Sequence, residues 1–200
     1  YFLDIKTQID QSITKLFNIP ATHTTLLLHG GARNIFPSIG ANCSSGKEHA
    51  NYLITGYWSE QAATAAGIAI NRLTNQNPCA IDNNWQIDKP DLNSLPDYTH
   101  YCPNETISGL QFDYIPDNTK VPLIADMTSC LGMQTLDIKR FDMLYASCQK
   151  NLGIAGVCVV IINDKLLSRS AQNANNMPAI ANYSVQKEHN SLYNTPNTLG

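Results

Sequence analysis

Three short runs constrain this 200-residue chain most: "VPLIAD" (121–126), "MLYAS" (143–147) and "GVCVVII" (156–162). They are apolar at nearly every position rather than at every second one. A strand with one face in water alternates, whereas a strand covered on both faces does not. Runs of this length therefore read as strands inside a sheet with helices on both sides. "THTTLLLHGG" (22–31) adds a strand that runs into a glycine turn, and "CAID" (79–82) and "YTHYC" (98–102) add two more. Helical patterns alternate with some of these runs. Phe2, Ile5, Ile9, Ile13, Leu16 and Phe17 recur at three- and four-residue steps, the mark of an amphipathic helix ended by Pro20. The alanine-rich "SEQAATAAGIAINRL" (59–73) predicts a second helix capped by Ser59. The class is α/β, with a mostly parallel mixed sheet flanked by helices.

Composition narrows the function. A net charge of −3 gives no basic surface for nucleic acid or anionic lipid. No 18-residue apolar stretch exists to span a membrane, and the opening "YFLDIKTQID" lacks the apolar core of a secretory signal. The six cysteines form no CxxC pair, so no zinc site is expected, and reduced thiols in a cytoplasmic protein are the better reading. The polar, Asn-rich segment 168–190 has no period and predicts a long loop of functional or interface character.

In open parallel sheets, ligands bind beyond the carboxyl ends of the strands. Gly30, Gly31, Ala32 and Arg33 follow the first strand. "PNET", ending in Thr106, follows "YTHYC". Asp126 ends "PLIAD", and "CQK", ending in Lys150, follows "MLYAS". An acid and a lysine at the ends of two neighbouring strands, with a glycine turn opening a helix, suit pyridoxal phosphate. The lysine would form the imine, the acid would hold the ring nitrogen protonated, and the turn would take the phosphate.

Six segments, "HGGAR", "TGYWS", "HYCPNETISG", "PLIADMTS", "ASCQKNLGIAG" and "SLYNTPNT", resemble the motifs of the phosphoserine aminotransferase family in order and near its spacing. They cover residues 29–198. The resemblance implies the aspartate-aminotransferase-like large domain of the fold-type-I pyridoxal phosphate enzymes. It implies Lys150 as the residue that forms the Schiff base and then acts as base at the substrate's Cα. Asp126 is implied as partner of the pyridinium nitrogen, Trp58 as the ring that stacks on the cofactor, and Thr106 as a neighbour of its phenolic oxygen. Backbone N–H groups of Ala32 and Arg33, with the Gln149 side chain, would hold the phosphate. Asn194 and Thr195 would reach the phosphate of the other subunit, which makes a homodimer the expected assembly. The implied reaction passes an amino group from glutamate to 3-phosphohydroxypyruvate. A phosphorylated hydroxythreonine on the way to vitamin B6 is a second substrate in many bacterial members.

Departures from the family pattern are Ile35, Gly132, Met133, Ile154 and Asn197, none at an implied primary contact with the cofactor. The family's chains run beyond this one at both ends, so residues 1–200 read as an incomplete large domain. The segment with a His-Arg pair and the small C-terminal domain are not in this sequence. Its arginines are 33, 72, 140 and 169, and only Arg33 stands at the cofactor turn. Two other readings follow: a domain that binds cofactor or dimerises without full turnover, and another fold-type-I enzyme such as a cysteine desulfurase. The latter group has a histidine before the lysine, where this chain has Gln149. A nicotinamide-dependent oxidoreductase does not fit, since "HGGARN" is not GxGxxG.

Overall fold

A computed structural model describes residues 2–46, 49–75, 85–87, 95–116 and 120–194. In chain order they form α1 (Phe2–Leu16), β1 (His23–His29), α2 (Ala32–Cys43), β2 (His49–Ile54), α3 (Tyr57–Thr64), β3 (Ala69–Asn75) and β4 (Trp85–Ile87). There follow β5 (Thr99–Tyr101), β6 (Asn104–Glu105), β7 (Leu110–Gln111), β8 (Leu123–Asp126), β9 (Met143–Ser147), β10 (Val157–Asn163), α4 (Asp164–Gln172) and α5 (Tyr183–Glu188). The run 79–82 lies outside the described residues.

Eight strands make one sheet in the order β1-β10-β9-β8-β5-β2-β3-β4, and β6 pairs with β7 in a small separate ribbon. The central pairs β3/β2, β2/β5, β5/β8 and β8/β9 are parallel, while β10 and the two outer strands run antiparallel to their neighbours. The continuous apolar runs sit where expected: every residue of β8 and β9 is buried, as is the middle of β10. Two hydrophobic clusters cover the two faces. One holds Leu26, Phe36, Ile39, Ile124, Tyr145 and Val160 under α2, α4 and α5, and the other holds Leu53, Leu123, Ala125, Leu144, Phe141 and Ile161. The five described cysteines are free and buried among these packed residues.

Two local expectations are corrected. The alanine-rich stretch is not one helix over 59–73. Helix α3 covers only Tyr57–Thr64, Gly56 stands at its N-cap with Ser59 inside the first turn, and Ala69–Asn75 is strand β3. Gly67, at φ +69°, reverses the chain between them, a backbone conformation that favours glycine. Nor is 168–190 a loop. It holds most of α4, two short 3₁₀ turns and α5. Within 168–190 no apolar period shows, because the buried Ser170, Asn182, Ser184 and Gln186 are polar and hydrogen-bonded. The buried leucines of α4, Leu166 and Leu167, precede the segment. Asn182 Oδ1 caps α5 by accepting from Val185 N at 3.0 Å. Asn42 Oδ1, on α2, accepts from Ser170 Oγ at 2.6 Å and Tyr183 N at 2.8 Å.

Helix α1 forms as its spacing predicts, yet Ile5, Ile9 and Leu16 stay exposed among the described residues. Its buried position is Lys6, which pairs with Asp10 and donates to Asn190 Oδ1 at 3.2 Å.

Candidate active site

The carboxyl ends of β8, β9 and β5 and the turn after β1 open onto one cavity of about 330 Å³. Its lining includes Arg33, Trp58, Asp126, Ser147, Gln149 and Lys150. Asp126 and Lys150, distant in sequence, meet here because β8 and β9 are parallel neighbours and Asp126 pairs with Tyr145 in register. The chain turns out of the sheet after Ser147, and Lys150 sits exposed in that turn.

Asp126 is buried, with Oδ1 accepting from Thr128 N at 2.9 Å. Burial pushes its carboxyl above the usual carboxylate range, and the Thr128 hydrogen bonds and the charge of Lys150 oppose that rise. A buried carboxylate at a cavity wall favours a cationic or N–H-bearing ligand atom.

Trp58, in the first turn of α3, has two cations near its ring. Lys150 Nζ is 5.6 Å from its ring centroid and Arg33 Cζ is 5.5 Å away, both within cation–π range. Its indole Nε1 donates to Thr106 Oγ1 at 3.1 Å, and Lys150 Nζ reaches the same oxygen at 3.4 Å. Arg33 also donates to Tyr57 Oη at 3.2 Å. Among the described residues, Arg33 is the only arginine lining the cavity. Arg72 pairs with Glu60, Arg140 donates to Ile115 O, and Arg169 donates to Cys43 O and Asp97 O.

Helix α2 points its N-terminus at the same space. Gly30, at φ +91°, turns the chain from β1 into α2, and its N–H donates to Gly156 O at 2.9 Å. The Ala32 N–H, an expected anion donor, is engaged by Ser147 Oγ, so a bound anion would compete for or share that hydroxyl. Gly31 permits this closeness, since a Cβ there would stand 3.2 Å from Ser147 Oγ.

The structure thus brings together Ala32, Arg33, Trp58, Thr106, Asp126, Gln149 and Lys150. Asn194 is described, with a buried Oδ1 that has no hydrogen-bond partner, but it is not among the residues lining this cavity. Thr195 lies outside the described residues. Sequence reasoning passed over Cys102, Asn104, Thr128, Ser129 and Ser147, which also line the cavity. Each lies at or just past a strand's carboxyl end, the signal that could have found them.

The chain matches the aminotransferase class-V family over residues 1–200. It belongs to that family. Phosphoserine aminotransferase of Mannheimia succiniciproducens is 39% identical over 209 residues, covering all of this chain and 55% of that protein. The solved structure of phosphoserine aminotransferase from Bacillus circulans subsp. alkalophilus superposes with a TM-score of 0.86 at 31% identity, over 100% of this chain and 55% of that one. The PLP-bound phosphoserine aminotransferase from Trichomonas vaginalis gives 0.83 at 29% identity, over 98% and 55%. The chain therefore has the fold expected for it, and it spans about half the length of these class-V relatives.

Proposed function

We propose that the chain is the cofactor-binding part of a pyridoxal phosphate-dependent aminotransferase acting on phosphoserine and 2-oxoglutarate. The observation that carries this reading is the meeting of Lys150 and buried Asp126 in one cavity, at the ends of adjacent parallel strands. The residues fit the cofactor: a buried carboxylate, a lysine, an indole ring and a helix N-terminus line one space of about 330 Å³. When bound, pyridoxal phosphate supplies an electron sink for a carbanion at the amino acid's Cα.

The chain's own groups supply the rest. Lys150 Nζ, on a flexible stem in the β9–β10 turn, attaches the cofactor and is placed to move a proton at the substrate's Cα. Asp126 would hold the ring nitrogen protonated, since a buried carboxylate, with Thr128 and Lys150 as its present partners, gains from a further cation. Trp58 gives an aromatic face worth roughly 0.5–1.5 kcal/mol beyond its buried area. Thr106 would serve the phenolic oxygen, and Ala32, Arg33 and Gln149 would hold the phosphate at the start of α2. Asn194 and Thr195 complete the site of a second subunit, in a homodimer.

The test is to saturate the chain with pyridoxal phosphate, reduce with borohydride and map the labelled peptide. Label on Lys150 is expected. Label on Lys139 or Lys165 instead would overturn the assignment. A coupled assay with phosphoserine and 2-oxoglutarate addresses substrate. Two anionic groups call for basic partners. Among the described residues Arg33 is the only arginine lining the cavity, with Lys150 committed to the cofactor, so the chain by itself is expected to bind cofactor and turn over slowly.

A further inference from the structure

Glu105 is fully buried, yet it does not line the cavity. Burying a carboxylate is costly unless its oxygens are hydrogen-bonded. Here three donors meet them. Trp58 N donates to Oε2 at 2.9 Å, Ser59 N donates to Oε1 at 2.8 Å, and the Ser59 hydroxyl donates to Oε1 at 2.6 Å. The two amides belong to the first turn of α3, where N–H groups have no partner within the helix. Gly56 makes room for this approach: a Cβ there would stand 2.8–2.9 Å from the Glu105 carboxyl and its Cγ.

The neighbouring residue closes the circuit. Thr106 Oγ1 accepts from Trp58 Nε1 at 3.1 Å and lies 3.4 Å from Lys150 Nζ. A hydroxyl oxygen has two lone pairs and one proton. In the ligand-free chain both donors fill the lone pairs and leave the proton for a third group. Once Lys150 is attached, the Trp58 N–H still holds one lone pair and turns the proton away from the indole. The backbone of Trp58 is thus fixed by the side chain of residue 105, and the side chain of residue 106 is fixed by the indole of Trp58.

We propose that Glu105 is a positioning residue of the site: it fixes Trp58, and the Trp58 indole N–H in turn orients the Thr106 hydroxyl to donate to the bound ligand. The proposal rests on the reading of the cavity as a pyridoxal phosphate site. It assigns the Trp58 indole N–H a role separate from the stacking of its ring. It also explains a buried acid that ties the β5–β6 segment to α3.

The experiment has two arms. In the ligand-free chain, Glu105→Gln replaces one acceptor oxygen with an NH₂ group, and Gly56→Ala displaces the carboxylate without changing it. Both should speed hydrogen exchange at the Trp58 and Ser59 amides. Both should also raise the pyridoxal phosphate dissociation constant ~10-fold, the scale of losing one hydrogen bond to a charged group. Faster exchange with wild-type affinity would reduce Glu105 to a helix cap and overturn the proposal. In the second arm, which does not depend on the Glu105 variant folding, Trp58→Phe keeps a ring but removes the N–H. Its visible-absorbance titration with bound cofactor should shift in the same direction as that of Thr106→Val. A wild-type midpoint in Trp58→Phe beside a shifted one in Thr106→Val would overturn the orienting role. Absence of saturable cofactor binding in the wild-type chain would instead overturn the underlying reading, and the proposal with it.

Discussion

His100 Nε2 lies 2.9 Å from the Tyr145 hydroxyl, a bond that passes over β8 to join two strands that are not neighbours in the sheet. The Tyr52 ring stacks on the imidazole with centroids 4.8 Å apart and planes 27° from parallel. His100 is fully buried, and its Nδ1 has no hydrogen-bond partner. Burial pushes the imidazole down to about 3, so it is neutral at any working pH.

Acid should therefore weaken the fold through His100. An unfolded histidine titrates near 6.5 and the folded one at about 3. Between these values the unfolded chain binds more protons, so stability falls as pH falls through that window. Going from pH 7 to pH 5 should cost about 2 kcal/mol from this residue. His100→Gln keeps a hydrogen-bonding side chain but cannot titrate. Denaturant unfolding at both pH values should show the advantage of wild type over the variant shrinking by that amount. A gap independent of pH would contradict the account.

Asp126 works in the opposite direction. Its folded pKa is raised, chiefly by burial, so across the window above the ordinary carboxylate value the folded chain binds more protons. Stability from this group is lost as pH rises through the window. Ligand-free Asp126→Asn should then be at least as stable as wild type at pH 7, with any gain vanishing near pH 3.5. The same change should weaken pyridoxal phosphate binding. Thermal melts without ligand, beside a fluorescence titration, measure both. A large loss of stability at pH 7 would mean that Asp126 is mainly a structural acid.

Asn42→Ala should damage the packing of α2 on α4 and α5. The side chain accepts from Ser170 Oγ and Tyr183 N and donates to Ser38 O at 2.8 Å and Ala181 O at 2.9 Å. Leaving such buried groups unpaired costs about 1–3 kcal/mol each, so a loss of roughly 2–4 kcal/mol in urea unfolding is expected. A loss below about 1 kcal/mol would show that water or a shift of the helices replaces these bonds.

Gly40→Ala tests sign. Helix propensity alone favours alanine inside α2 by about 1 kcal/mol. At Gly40, however, a Cβ would stand 2.3 Å from the backbone oxygen of Ala66 and 3.2 Å from Ile68. Overpacking against a backbone atom costs typically 1–3 kcal/mol, so the variant should be less stable than wild type. A higher melting temperature would refute the contact.

The central strands were legible because burial on both faces leaves an unbroken apolar run, and β8, β9 and β10 carry it. The acid and lysine were legible because strand ends place them. Strand β2, "HANYLI", was missed: His49 and Asn51 break its apolar character. Strand β3 was hidden inside a helix-like pattern, with only Gly67 marking the break. Within 168–190 the buried Ser170, Asn182, Ser184 and Gln186 are polar and leave no apolar period to read. Their cap residues, Asn163 and Asn182, were the readable signal. Glu105 escaped notice because nothing in "PNETISG" tells a capping acid from a surface one. Its partners, Trp58 and Ser59, are more than forty residues away.

The bond from Gly30 N–H to Gly156 O joins the turn that opens α2 to the far end of the turn that carries Lys150. Ser147 Oγ, at the near end, accepts from Ala32 on the same α2 turn. The two walls of the cavity are thus stitched at both margins by the folding of β1 against β10 and of β10 against β9. A ligand held at one end by an anion site and at the other by an amine needs a fixed span. Here that span is set before any ligand arrives, so ordering it draws on the free energy of folding rather than on that of binding. Loosening the Gly30–Gly156 stitch should make the site softer without removing a single group that lines the cavity.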